Sequence, residues 1–199
     1  MVSKQTKVRA TLVRAMEQGE LLRLDRVSRP DQSVDGFVVA LGRKWALIAK
    51  TTEGGFFDGY VAIRLREIGA TRPDSSFESR HARTQPEWPP TPPVASQPLD
   101  LDTTRGMLTS LLEPNVLFGI EQDKKDDATW IGVPNELTRH WLYIWEVSFQ
   151  AIWESQPLGY RLSRITIVTF GNHYQTGLAA VADPAPAEAS ADWLRERTS

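Results

Sequence analysis

The sequence predicts a mainly β protein with some α structure, built as two copies of one small unit. Three observations predict it. Lys44-Trp45-Ala46-Leu47-Ile48 returns 96 residues later as His140-Trp141-Leu142-Tyr143-Ile144. The same offset places Gly36 on Gly132, Leu41 on Leu137, Arg43 on Arg139, Leu21 on Leu117, Glu17 on Glu113 and Leu12 on Leu108. After one inserted residue, Arg64-Leu65 falls on Arg161-Leu162, Ile68 on Ile165 and Phe77 on Tyr174. Second, each half holds short runs rich in Val, Ile and aromatic residues, bounded by Gly or by charged turns, which is the pattern of strands. Third, six of the 13 prolines lie between residues 85 and 99 and part the two halves. The expected organisation is a first repeat at 1–84, a Pro-rich linker at 85–99, a second repeat at 100–182 and a flexible tail at 183–199.

The elements follow in order. Val8, Leu12, Ala15 and Met16 recur at helical spacing, so residues 4–18 read as an amphipathic helix, with Gly19 as its stop. Leu21 starts an extended segment that ends at Arg29-Pro30-Asp31. Val34–Leu41, Lys44–Thr51 and Phe57–Ile68 read as strands, with turns at Gly42-Arg43 and at the double glycine Gly54-Gly55. Ser75 and Ser76 can open a short helix to about Arg83. The proline run disfavours helix and central strand, and as polyproline II it spans roughly 45 Å at about 3.1 Å per residue. Its P-x-x-P spacing, as from Pro86 to Pro89, fits an SH3-type ligand as well as a stiff spacer, and the spacer is the commoner use.

The second half repeats the plan. Asp102 and Thr103 can cap a helix carrying Met107, Leu108, Leu111 and Leu112. Val116–Glu121, Thr129–Leu137, Arg139–Val147 and Tyr160–Phe170 read as strands, Asp123–Asp127 as a charged turn, and Tyr174–Val181 as a last helix. From Asp183 the composition turns to Ala, Pro and Glu, which suits a loosely held tail.

Composition bounds the class. The chain has 199 residues, 41% of them hydrophobic and 24% charged, as in an ordinary globular protein. It contains no cysteine, which excludes a disulfide framework and thiolate metal sites. No run approaches the ~20 apolar residues of a membrane span, and the first 18 residues lack the apolar core of a signal peptide, so a cytoplasmic location is expected. Residues 1–84 carry a net charge of +5 and residues 85–199 one of −7. Drift between two copies accounts for the asymmetry, as does attraction between them or to an anion.

A helix followed by five short, bent strands and a closing helix resembles the small SH3-like barrels, in particular the Sm-like proteins. The resemblance implies a fold of two tandem SH3-like/Sm-like barrels, each with an N-terminal helix and a short closing helix. RNA binding does not follow from it. The Sm-like pattern places an Asp and an Asn around a strand turn, whereas the corresponding turns here are Gly42-Arg43 and Thr138-Arg139. The second half, with Trp130-Ile131-Gly132, Trp153-Glu154 and Tyr160-Arg161-Leu162, is also similar to bacterial proteins of uncharacterised function, which implies no activity.

No Walker loop, dinucleotide fingerprint, zincin motif or nucleophile elbow is present, so no enzyme and no cofactor are expected. His81, His140 and His173 are scattered. Glu121, Asp123, Asp126 and Asp127 make a charged turn more naturally than a cation site. The aromatics are more informative. Trp130, Trp141, Trp145 and Trp153 are four of the seven tryptophans, and Trp141, Tyr143 and Trp145 share one face of their strand. These five residues form the candidate binding or inter-repeat surface. Either the face packs on a helix or on the other repeat, or it is an open platform for a peptide or for bases. The function expected is a non-catalytic interaction module for protein, the alternative being an Sm-like binder of RNA or single-stranded nucleic acid. Because the aromatic cluster lies in the acidic half, nucleic acid is the less favoured partner. Pairing of the two repeats within the chain is expected, a homo-oligomer is left open, and no membrane is involved.

Overall fold

A computed structural model describes residues 3–94, 97–123, 128–190 and 193. The chain divides into two compact units. One comprises Met1–Val94 with Asp100–Thr103, the other Ala95–Leu99 with Thr104–Ser199.

In the first unit, α1 (Lys4–Gln18) is capped by the Ser3 hydroxyl, which accepts from Thr6 N, and ends on Gly19 in the left-handed conformation. Its buried stripe is Val8, Leu12 and Ala15, set by the helical spacing. Five strands follow: β1 (Leu21–Arg26), β2 (Ser33–Leu41), β3 (Trp45–Thr51), β4 (Phe57–Arg64) and β5 (Ile68–Pro73); α2 (Phe77–Ala82) comes after them. In the second unit, α3 (Thr104–Leu111) precedes β6 (Phe118–Gln122), β7 (Trp130–Leu137), β8 (Trp141–Glu146), β9 (Leu158–Arg161) and β10 (Ile165–Phe170), and α4 (His173–Val181) follows.

The strands form an open antiparallel sheet, which corrects the expectation of two closed SH3-like or Sm-like barrels. The order is β5-β1-β2-β3-β4 in the first unit and β10-β6-β7-β8-β9 in the second. Among the described residues no pairing joins β4 to β5, or β9 to β10, so neither set of five closes on itself. The reason lies in two tight turns. Phe57–Ile68 is not one strand: a 3-10 turn at Leu65–Glu67 carries the chain from β4 over to β5, which pairs with β1 instead. In the same way Tyr160–Phe170 breaks at Leu162–Arg164, where Arg164 N donates to Arg161 O at 2.9 Å, and β10 pairs with β6. Neither turn contains the Gly or Pro that marks a break in sequence.

The two units match in register as well as in strand order. β2 and β3 slip by one residue between Val38 and Ala40, and β7 and β8 slip between Pro134 and Glu136, the same place at the 96-residue offset. A β-bulge there leaves Val39 in one unit and Asn135 in the other outside the ladder. Gly36 and Gly132 are required for the same reason. A Cβ on Gly36 would run into the Ala49 carbonyl and come within 2.7 Å of Ile48 Cγ2. One on Gly132 would run into the Trp145 carbonyl and come within 2.7 Å of Ile144 Cγ2. The Arg64 guanidinium lies 5.1 Å from the Trp45 ring, and that of Arg161 lies 5.0 Å from the Trp141 ring.

Each unit also has a small apolar cluster on the same face. Leu21, Phe37 and Ala82 are its buried members in the first unit, with Phe57 and Trp88 against them. Leu117, Val133, Val147, Leu178 and Ala189 are its buried members in the second, with Trp145, Trp153 and Ala185 among those against them. Three positions correspond at the 96-residue offset, Leu21 with Leu117, Phe37 with Val133 and Phe57 with Trp153, and the helices α2 and α4 contribute Ala82 and Leu178.

Among the described residues no helix is long and apolar enough to cross a membrane.

Candidate binding face

Strand β8 positions three of the five aromatics. Alternation sends Leu142 and Ile144 into the core, both fully buried, and sends Trp141, Tyr143 and Trp145 to the opposite face, where all three are half-buried. Trp153 belongs to this face too: it bridges to Val147 across the hairpin and packs in the second unit's apolar cluster with Trp145. The indole of Trp145 donates to Glu154 O at 2.7 Å and that of Trp153 to Asp183 O at 2.8 Å. Trp130 is on the other side of the sheet. Its ring lies 5.3 Å from that of Tyr160, whose hydroxyl donates to Glu146. Burial, reinforced by that carboxylate, pushes the Tyr160 phenol well above its ordinary value. The structure therefore brings together four of the five expected residues and separates Trp130.

The face has an open end and a covered end. At the open end Trp141 and Tyr143 lie beside Gly159 of β9, the strand at the end of the order. A Cβ on Gly159 would come within 3.0 Å of Tyr143 and 3.5 Å of Trp141, so glycine leaves bare backbone next to both rings. In the following hairpin Phe149 is 80% exposed and Ile152 66%.

Trp45 occupies the equivalent place in the first unit and is fully buried. The cause is local. Leu101 O accepts from Lys44 N at 3.3 Å and from Trp45 N at 3.0 Å, and Asp102 accepts from Arg43 N at 2.7 Å and from Arg43 Nε at 2.9 Å. Gly42 makes room for this segment, because a Cβ there would collide with the Leu101 backbone. The second unit has Thr138 in place of Gly42. The Thr138 hydroxyl itself accepts from Trp141 N at 3.0 Å. Asp102 is thus a partner of Arg43 rather than the helix cap its sequence position suggests.

At the covered end lies the chain's own segment 183–190. Asn135, the bulge residue of β7, donates from Nδ2 to Ala189 O at 2.9 Å and to Glu188 O at 3.4 Å. The Ser190 hydroxyl donates to Pro134 O at 3.2 Å and accepts from Asn115 N at 3.1 Å. Ala189 is fully buried, and Trp193 beyond it is buried too. A composition that reads as loosely held is therefore packed over its described part. Residues 85–94 behave likewise in the first unit: they hold no helix or strand, yet the Trp88 ring lies 5.0 Å from Phe37 and the Tyr60 hydroxyl donates to Thr91 O at 2.9 Å.

The remaining candidates are placed as follows. His81 is in the first unit, with Nδ1 donating to Gly54 O at 2.6 Å and Nε2 2.9 Å from the Gln85 amide nitrogen, which donates to it. His140 and His173 are exposed. Glu121 is buried, and Thr129 donates to it at 3.5 Å. Asp126 and Asp127 lie outside the described residues. Among the described residues no three His, Asp or Glu side chains gather as a metal site would require.

Sequence reasoning missed Asn135, Thr138, Gly159 and Arg161. A signal existed for the first: Pro134-Asn135 inside an apolar strand marks a bulge, since proline cannot donate to a ladder.

Comparison with protein-family models, with known proteins and with solved structures finds no match to this chain.

Proposed function

We propose that this protein is a non-catalytic module that binds other proteins through the aromatic face of β8, with Trp141 and Tyr143 as its open contacts. The observation that carries the reading is the contrast between two equivalent tryptophans. Trp45 is fully buried, whereas Trp141 is half-buried beside the bare backbone of Gly159. Rings with one wet edge and one packed edge are the residues that anchor protein interfaces. An end strand with unpaired backbone groups can also accept an extended peptide as a further strand.

Protein is favoured over nucleic acid on two grounds. The Arg161 guanidinium already covers the Trp141 ring, so a base would have to displace it. The surrounding half of the chain carries a net charge of −7, which repels phosphate.

Selection of displayed peptides against the full chain tests the reading. Peptide ligands should emerge whose affinity falls at least tenfold in Trp141→Ala. Single-stranded RNA or DNA binding at low salt that Trp141→Ala abolishes, with no peptide selected, would instead establish the nucleic-acid alternative.

A further inference from the structure

Two turns of the second unit meet beside the open end of the aromatic face. One is residues 138–140, between β7 and β8; the other is residues 162–164, after β9. Leu162 N donates to His140 O at 3.0 Å, and Trp141 opposes Arg161 in the ladder. Arg164 N in turn donates to Arg161 O at 2.9 Å. This corner therefore carries Arg139, His140, Arg161 and Arg164, all of them exposed. Among the described residues none of the three arginines forms an ion pair. Glu136, which stands opposite Tyr143, pairs with none of them. An unpaired positive corner thus lies within the half of the chain whose net charge is −7.

The first unit shows what a carboxylate does at the equivalent turn. Arg43 is the counterpart of Arg139 at the 96-residue offset. The Asp102 carboxylate accepts from Arg43 N at 2.7 Å and from Arg43 Nε at 2.9 Å, and Leu101 beside it is buried. An acid next to a buried apolar residue is thus held by this turn. A ligand of the second unit cannot follow the same path. Thr138 replaces Gly42, where a Cβ would collide with the Leu101 backbone. The Thr138 hydroxyl also takes the Trp141 N–H, whose counterpart on Trp45 goes to Leu101 O. Side chains rather than backbone are left to make the contact. Arg161 is prepared for it, with its guanidinium over the Trp141 ring at 5.0 Å. Stacking engages the face of the fork and leaves its N–H edge for a carboxylate, which then binds at two points with little further ordering. Arg64, the counterpart in the first unit, is buried and offers no such edge.

We infer that this corner, built from Arg139, Arg161 and the rings of Trp141 and Tyr143, binds an acidic segment of a partner protein. An Asp or Glu carboxylate sits on the guanidiniums, and a neighbouring large apolar side chain sits on the rings. The inference rests on the protein-binding reading above and names the partner's chemistry. Charge complementarity selects that partner. One or two carboxylates respond to the corner alone, because exposed charges beyond about 8 Å are screened at physiological salt. A long polyanion such as RNA crosses more of the acidic half and is repelled by it.

The test takes peptides selected by display on the full chain. Most should carry Asp or Glu within two residues of a Leu, Ile, Phe or Trp. Remaking a selected peptide with Asn or Gln in place of the acid should lower its affinity at least tenfold. Arg139→Gln and Arg161→Gln should each weaken the acidic peptide at least fivefold and change the amide peptide less than twofold. Arg161→Lys, which keeps the charge but not the fork, should fall between parent and Arg161→Gln. The exchange made on the peptide needs no protein variant, so it decides the matter even where a variant folds poorly.

Peptides that require Trp141 but carry no acid, or that survive the amide exchange, overturn the inference and leave the protein-binding reading standing. Failure to select any peptide removes both. A single-stranded oligonucleotide whose binding Arg161→Gln abolishes, with no peptide selected, assigns the corner to nucleic acid and overturns the partner named here.

Discussion

Arg26 and Glu67 form an ion pair with 3% and 4% of their side-chain surface exposed, Nε to Oε1 at 3.4 Å. The same carboxylate accepts from Ser28 N at 3.1 Å, and Ser28's hydroxyl also donates to it. A pair so buried owes its persistence to having every member present, because removing one leaves the other charge desolvated and uncompensated. Glu67→Ala should therefore destabilise the first unit by about 3–5 kcal/mol, read from urea unfolding; a loss below about 1 kcal/mol would show that water reaches Arg26. The second unit has Gln122 and Arg164 at these places, so the pair belongs to one copy alone. Asp102 makes a different kind of contact. The Arg43 backbone N–H, with the Arg43 charge behind it, holds the Asp102 carboxyl below its usual value. A depressed carboxyl stabilises the native state above the ordinary aspartate pKa of about 3.9 and loses that contribution as pH falls through the lower native value. Melting temperatures of the parent and of Asp102→Asn should differ at pH 6 and converge at acid pH. A gap that stays constant down to pH 2 would refute the role of the charge.

Among the elements, α4 holds the second unit's cluster closed by burying Leu178, and its start depends on one side chain. The Asn172 carbonyl oxygen accepts from Gln175 N at 2.8 Å, and Gln175 reaches back to Thr169 O at 3.0 Å. Asn172→Ala should cost about 1 kcal/mol, measured by denaturant midpoint; no loss would mean that water caps the helix equally well. The helices and most strands were legible in the sequence because periodicity, caps and glycines all pointed one way, as at Ser3, Val8, Leu12 and Gly19 for α1. The breaks before β5 and β10 were not legible, because Leu65-Arg66-Glu67 and Leu162-Ser163-Arg164 carry no breaker. Their turns are set by which neighbouring strand offers hydrogen bonds. The same shortfall hid the open sheet, since closure depends on whether β4 meets β5 and no residue of either strand announces that. At the candidate face the strand alternation of Trp141, Tyr143 and Trp145 could be read directly. The placement of Trp130 on the opposite side could not, because it follows from a register fixed elsewhere.

At the scale of the whole chain, the borders drawn by composition and by packing differ. Proline content marks residues 85–99 as a spacer, but Trp88 completes the first unit's cluster and Leu101 caps the start of β3. A fragment of residues 1–103 should accordingly unfold in one cooperative transition, at least about 8 °C above a fragment of residues 1–84, which lacks the buried Leu101 and the half-buried Trp88. Equal melting temperatures would show that the segment rests on the first unit without supporting it.

The paired bulges at Val39 and Asn135 have a consequence for how such a chain can diversify. A residue inside the ladder is answerable to its cross-strand neighbours, so changing it disturbs a register shared by many others. The bulge residue is exempt from that obligation. Valine at one copy and asparagine at the other sit on the same backbone, and only the second grips a returning segment by its carbonyls. The irregularity thus works as a socket: a single codon at position 39 or 135 can give one copy a new attachment while the scaffold beneath stays as it was.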